Sequence, residues 1–142
     1  MSFISKKYLE SQFNFTGNYK ILDGTHSPNY NCISHTIGLN DRWSWPGDNI
    51  NYWPIDDKSE TIESFDKFYE YHGFIKIDLS GIYVGQNKVI LYAKDEKPKH
   101  TSIQILNNTW ESKMGGGEIV RHDPFDFENS IYGEIVRIYE KK

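Results

Sequence analysis

At Gly73 the hydrophobic period of the chain changes, and this change limits the fold more than any other feature. Before it, "SETIESFDKFYEYHG" (residues 59–73) carries apolar side chains at helical spacing, with Ile62, Phe65, Phe68 and Tyr69 in one stripe. Ser59 is placed to cap this helix, acidic residues fill its first turn, where the helix dipole favours them, and Gly73 stops it. After Gly73 the pattern alternates with a period of two, the signature of half-buried strands. It predicts strands over about 74–79, 88–94, 100–106, 109–114 and 131–140. Asn107-Asn108 between two alternating runs signals a tight hairpin. Composition points the same way: aromatics are 15% of residues and Ala93 is the only alanine, so the chain leans on strand formers. The expected class is α+β with a substantial, mostly antiparallel sheet of about five strands.

The chain of 142 residues fits one domain spanning 1–142, with residues 1–27 as an N-terminal extension packed on it. A chain this long buries about 70% of its unfolded surface, enough for a core without covalent staples. Its single cysteine excludes an internal disulfide and a cysteine metal cluster. A formal net charge of −4 with no basic block argues against nucleic acid as a partner. "MSFISKKYLES" has no apolar core of a signal peptide, and no apolar run approaches membrane-spanning length. The expectation is a cytoplasmic protein, or one exported without an N-terminal signal.

Residues 1–13 carry a weak helical stripe, and "FTGNYKILDGT" reads as an extended piece between glycine turns. A loop of turn formers, Gly24, Ser27, Pro28 and Asn29, leads to Asn31, a good N-cap. Cys32 follows directly, and Ile33, Thr36 and Ile37 give a short helix its apolar face, ended by Gly38 or Asn40.

Cys32 is the candidate nucleophile. At a helix start, free backbone N–H groups and the positive dipole end favour thiolate and can meet an oxyanion. The competing reading is a small buried hydrophobe, the usual fate of a free cysteine. Five histidines are possible bases. His26 lies in the loop before Cys32, and His35 lies one helical turn beyond it. His72 ends the long helix and His122 sits in a late loop, whereas His100 opens the strand "HTSIQIL", where rigid backbone would hold it.

"NYNCISHTIG", "DRWSWPG", "KVILYAKDEKPKHTSIQILNNTWESKMG" and "YGEIVRIYEK" together resemble a bacterial domain family of uncharacterised function, over most of residues 28–140. Its members show an aromatic-Asn-Cys-Ile start, a Trp-rich segment after it, and a block ending in WxSKxG. More distantly, the chain resembles the NlpC-like and CHAP-like branch of papain-fold cysteine hydrolases. That resemblance implies a papain-like fold, with a nucleophile helix packed on the sheet, and cleavage of a peptide or amide bond. It makes Cys32 the nucleophile and His100 the general base and acid. The third position falls near Ser112, which departs from the His, Asn or Gln usual there; Gln104, on the same strand face as His100, is the alternative orienter. The implied mechanism is acyl transfer through an acyl-enzyme, needing no metal or organic cofactor. The atypical third position favours a second reading: a papain-fold module that binds a peptide or protein partner and does not cleave. A delivered effector or toxin would share the first chemistry.

Trp43, Trp45, Tyr52 and Trp53 follow the short helix and could line a substrate groove, although packing over the sheet is the commoner fate of such rings. Arg42 is expected to pair at the surface with Asp41 or Asp48. "HDPFDFE" lacks the loop pattern of calcium sites and reads as a solvated acidic loop. "MGGGE" reads as a turn or a flap, and Lys113 belongs to the resemblance without an assigned role.

Overall fold

A computed structural model describes residues 5–15, 19–83 and 86–142. The fold is α+β: a seven-stranded antiparallel sheet with three short helices. The strands are β1 (Lys20–Leu22), β2 (Phe74–Ile77), β3 (Lys88–Lys94), β4 (Lys97–Leu106), β5 (Thr109–Lys113), β6 (Ile119–His122) and β7 (Glu134–Lys141), in the order β1-β6-β5-β4-β3-β7-β2. The helices are α1 (Lys6–Gln12), α2 (Cys32–Thr36) and α3 (Ile62–Tyr71), and a 3₁₀ turn runs over Leu79–Tyr83. This coarse class is the one the sequence predicts, with two more strands. The papain-like arrangement implied by the distant resemblance is not shown.

Both faces of the sheet are covered, which explains why every residue from Lys88 to Ala93 in β3 is buried. On one face, α2 and α3 pack over Val89, Leu91 and Tyr139, with Cys32, Ile33, Phe65, Phe68 and Tyr69 in the same cluster. On the other, Leu9 of α1, Phe13 and Phe127 cover Ile90, Tyr92, Trp110, Val120 and Ile138. In the helical stripe of α3, Phe65, Phe68 and Tyr69 are fully buried and Ile62 partly so, and each fully buried ring contributes roughly 2 kcal/mol. Tyr69 stacks on Tyr139 with centroids 4.6 Å apart. Tyr139 Oη donates to Asp66 Oδ1 at 2.6 Å, and Arg137 Nε reaches the same carboxylate at 3.0 Å, which fixes α3 on β7. Thr61, rather than Ser59, caps α3 by accepting from Ser64 N, and Gly73 follows in the left-handed region at φ +88°.

β3 and β4 are joined at Asp95-Glu96, both at positive φ (51° and 65°), as a tight hairpin turn demands. Gly133 lies so close to this hairpin that a Cβ there would stand 2.0 Å from the Ala93 carbonyl oxygen. No helix among the described residues is long and apolar enough to cross a membrane.

Candidate functional site

The segment that presents Cys32 is fixed from two directions. Asn31 Oδ1 accepts from Ser34 N at 3.3 Å, the N-cap bond, and from Ser44 N at 3.1 Å. Its Nδ2 donates to Ser44 O at 2.9 Å, so one amide pairs with both backbone groups of Ser44 and ties α2 to the Trp-rich segment. From the other side comes Lys113, a buried ammonium on β5. Its Nζ donates to the carbonyls of Ser27 (2.7 Å), Tyr30 (3.3 Å) and Gly115 (2.6 Å) and lies 4.6 Å from the Tyr30 ring centroid. This gives Lys113 the role its sequence context left open: it holds the chain entering α2 against the turn after β5, and that turn is thereby tied down rather than a free flap.

Cys32 starts α2 as expected, but its side chain faces the core and is 8% exposed. Burial pushes the thiol up from its ordinary value; the backbone and side chain of Thr101 and the helix-start N–H groups of Ile33 and Cys32 only partly offset this. Thr101 Oγ1 makes no hydrogen bond of ordinary geometry among the described residues, yet it stands close enough to act on the sulfur.

Thr101 decides where His100 goes. Neighbouring residues of a strand point to opposite faces, so a Thr101 turned toward Cys32 turns His100 away. The His100 ring stacks on Tyr132 (centroids 4.1 Å, planes 4° apart) and meets Phe127 edge-on at 5.5 Å, on the α1 side of the sheet. It is 3% exposed and its Nε2 has no hydrogen-bond partner among the described residues. Burial, and secondarily the charge on His122, push it well below the ordinary imidazole value. The sheet itself thus separates the sulfur from the imidazole, and the expected couple does not form.

The proposed third residues go elsewhere too. Ser112 Oγ lies 2.7 Å from His122 Nε2 and 2.7 Å from Ser102 Oγ. Gln104 closes the end of the sheet, donating to Asn107 O at 2.9 Å and accepting from Lys88 N at 3.4 Å. Of the three tryptophans, Trp53 stacks on Phe68 at 4.1 Å and is core. Trp45 packs its edge on Phe65, with Nε1 on Glu60. Trp43 stays 37% exposed, but its Nε1 is spent on Pro28 O. Each of the three is tied to a different neighbour. Arg42 pairs at the surface with Asp41 (3.0 Å). Among the described residues no group of three or more His, Cys, Asp or Glu is placed to hold a metal ion.

Two features were missed in the sequence. His35 Nε2 meets Glu111 Oε1 at 3.1 Å, and Arg121 Nε reaches Glu111 Oε2 at 3.0 Å. The first link joins α2 to β5, and only the strand register, which sets Glu111 opposite Arg121, reveals the second. The other is an open cleft of about 590 Å³ at the β3–β4 turn, between Ile62 at the start of α3, Asp95, Glu96, Ser130 and Glu134.

Comparison with known families decides the affiliation. The model of a domain of unknown function, DUF7689, matches residues 21–140. The chain belongs to the DUF7689 family. The DUF7689 match covers α2, α3 and every candidate site residue discussed, leaves α1 outside it, and carries no link to papain-like hydrolases. No curated protein matches the chain, and no solved structure matches it.

Proposed function

We propose that this DUF7689 domain is a binding module for a peptide or protein partner, not a hydrolase acting through Cys32 and His100. The observation that carries this reading is the placement of those side chains on opposite faces of β4. A thiol held protonated by burial, without an imidazole in reach, gives acyl transfer neither nucleophile nor base. What supports binding is the cleft at the β3–β4 turn. Its volume of about 590 Å³ falls within the ordinary range for ligand pockets. One wall is held rigid by the close approach of Gly133 to Ala93. The apolar Ile62, Ala93 and Val136 alternate there with exposed charges that can set specificity.

Panning a random-peptide display library on the purified chain tests the proposal. The expected result is an enriched set of related peptides whose affinity, read by calorimetry, falls about tenfold in Glu134→Arg. Turnover of peptide or amide substrates that disappears in Cys32→Ala would overturn it, and so would peptides that bind Glu134→Arg as well as the wild type.

A further inference from the structure

Two imidazoles lie buried on the α1 face of the sheet. His100 on β4 and His122 at the end of β6 point into one aromatic layer, closed from outside by residues 123–133. Phe127 of that segment stacks on His122 at 4.1 Å and meets His100 at 5.5 Å, and Tyr132 lies flat on His100. Tyr92 Oη adds a bond to Pro124 O at 3.0 Å. The segment is therefore held down by two histidine rings together with Phe13, which meets Phe127 at 4.4 Å and Tyr132 at 5.2 Å.

Those rings suit only the uncharged form. His122 Nδ1 lies 2.7 Å from the Asp123 carbonyl, which can only accept, so Nδ1 carries the proton and Nε2 accepts from Ser112 Oγ. Ser112 in turn accepts from Ser102, giving a one-way chain of buried hydroxyls. A second proton on His122 sets a donor against this chain. A second proton on His100 places a cation beside a nitrogen with no acceptor.

We propose that residues 123–133 are an acid-released cover: protonation of His100 and His122 lifts the segment while the seven strands stay paired. The charged and titratable groups facing the pair are Asp123, Asp126, Glu128 and Tyr132 from the cover, Tyr92 from β3 and Glu111 from β5, with Cys32 of α2 and Tyr8 of α1 acting on Tyr132. Burial outweighs the Asp123 carbonyl, Asp126 and Glu111, which draw a proton toward His122. The cover's own bonds are mostly local: Asp126 N to Asp123 O, Glu128 N to Phe125 O and Asn129 N to Gly133 O. Lifting it leaves the strand ladder intact and gives up outside ties that include Asn14 N to Asp126 O, Tyr92 Oη to Pro124 O, His122 Nδ1 to Asp123 O and Ile135 N to Glu128 Oε2.

Hydrogen exchange of the full chain at pH 7.5 and pH 5.0, corrected for intrinsic rates, tests this. The expected result is about tenfold or greater loss of protection in peptides covering 123–133 at pH 5.0, with β3 and β7 unchanged. His100→Phe with His122→Gln keeps the rings' space and should abolish the response. Equal protection of the cover at both pH values, joint loss in cover and sheet, or a wild-type response in the double variant would each overturn the proposal. Imidazole NMR titration of the wild type does not depend on the variant folding. The two buried rings should titrate together with cover opening, and titration without opening would also overturn the proposal.

Discussion

Lys113 Nζ donates to the carbonyl of Ser27 at 2.7 Å across 86 residues of chain, so a strand lysine fixes the approach to the helix that carries Cys32. A charged group is buried here because three carbonyls and an aromatic face replace its water. The same contact explains why the lysine stands next to a glycine-rich turn: Gly115, at φ +59°, turns its carbonyl onto the ammonium.

Replacing Lys113 by Met keeps the stem and removes the donor. Three inward carbonyls lose their partner, and the expected loss of stability is about 2–3 kcal/mol in urea unfolding. Protection of the amides around 27–31 should fall with it. An unchanged midpoint would show that water takes over the lysine's role.

Two glycines at positive φ should respond differently to alanine. Gly133→Ala combines φ +84° with a Cβ 2.0 Å from the Ala93 carbonyl oxygen, where only backbone could move. It should cost upwards of about 3 kcal/mol or prevent folding. Gly115→Ala meets nothing within 4 Å and should cost only the left-handed penalty, about 1 kcal/mol. Similar melting temperatures for the two variants would contradict this packing.

Stability should fall as the solution is acidified below about pH 6.5. His100 and His122 are held below their unfolded value, so the unfolded chain binds more protons and acid favours unfolding. For His122, pushed from 6.5 down to about 4, the stability present at neutral pH and lost by pH 4 is about 3 kcal/mol. Glu111, held low chiefly by its bond to His35, loses its contribution in the same direction at lower pH. Urea midpoints that stay level between pH 7.5 and 5 would contradict the burial of both rings.

Much of the fold was legible because its signals are local. The α3 stripe, the Asn31 cap, the apolar run of β3 and the alternation of β4 and β5 each lie within a few residues. β6 escaped because Ile119–His122 is short and one of its two inward side chains is a histidine. The charged stretch 94–99 reads as a turn, but its two-residue form at Asp95-Glu96 was not legible, because Glu96 does not favour positive φ; pairing of Lys94 with Lys97 imposes it. The candidate site was less legible. The position of Cys32 at a helix start follows from Asn31, but which face His100 takes depends on strand register and the bulge near Ala93, which alternation alone does not set. Lys113 has no role legible in the sequence until the Ser27 and Tyr30 carbonyls are seen around it.

The rate of Cys32 alkylation by iodoacetamide in the native chain, followed from pH 6 to 10 in the wild type and in His100→Phe, tests the central separation most directly. A buried thiol with no imidazole partner reacts far more slowly than free cysteine, rises only at alkaline pH, and is indifferent to His100→Phe. Rapid alkylation that levels off near neutral pH and is lost in His100→Phe would mean that sulfur and imidazole meet, and would contradict the account.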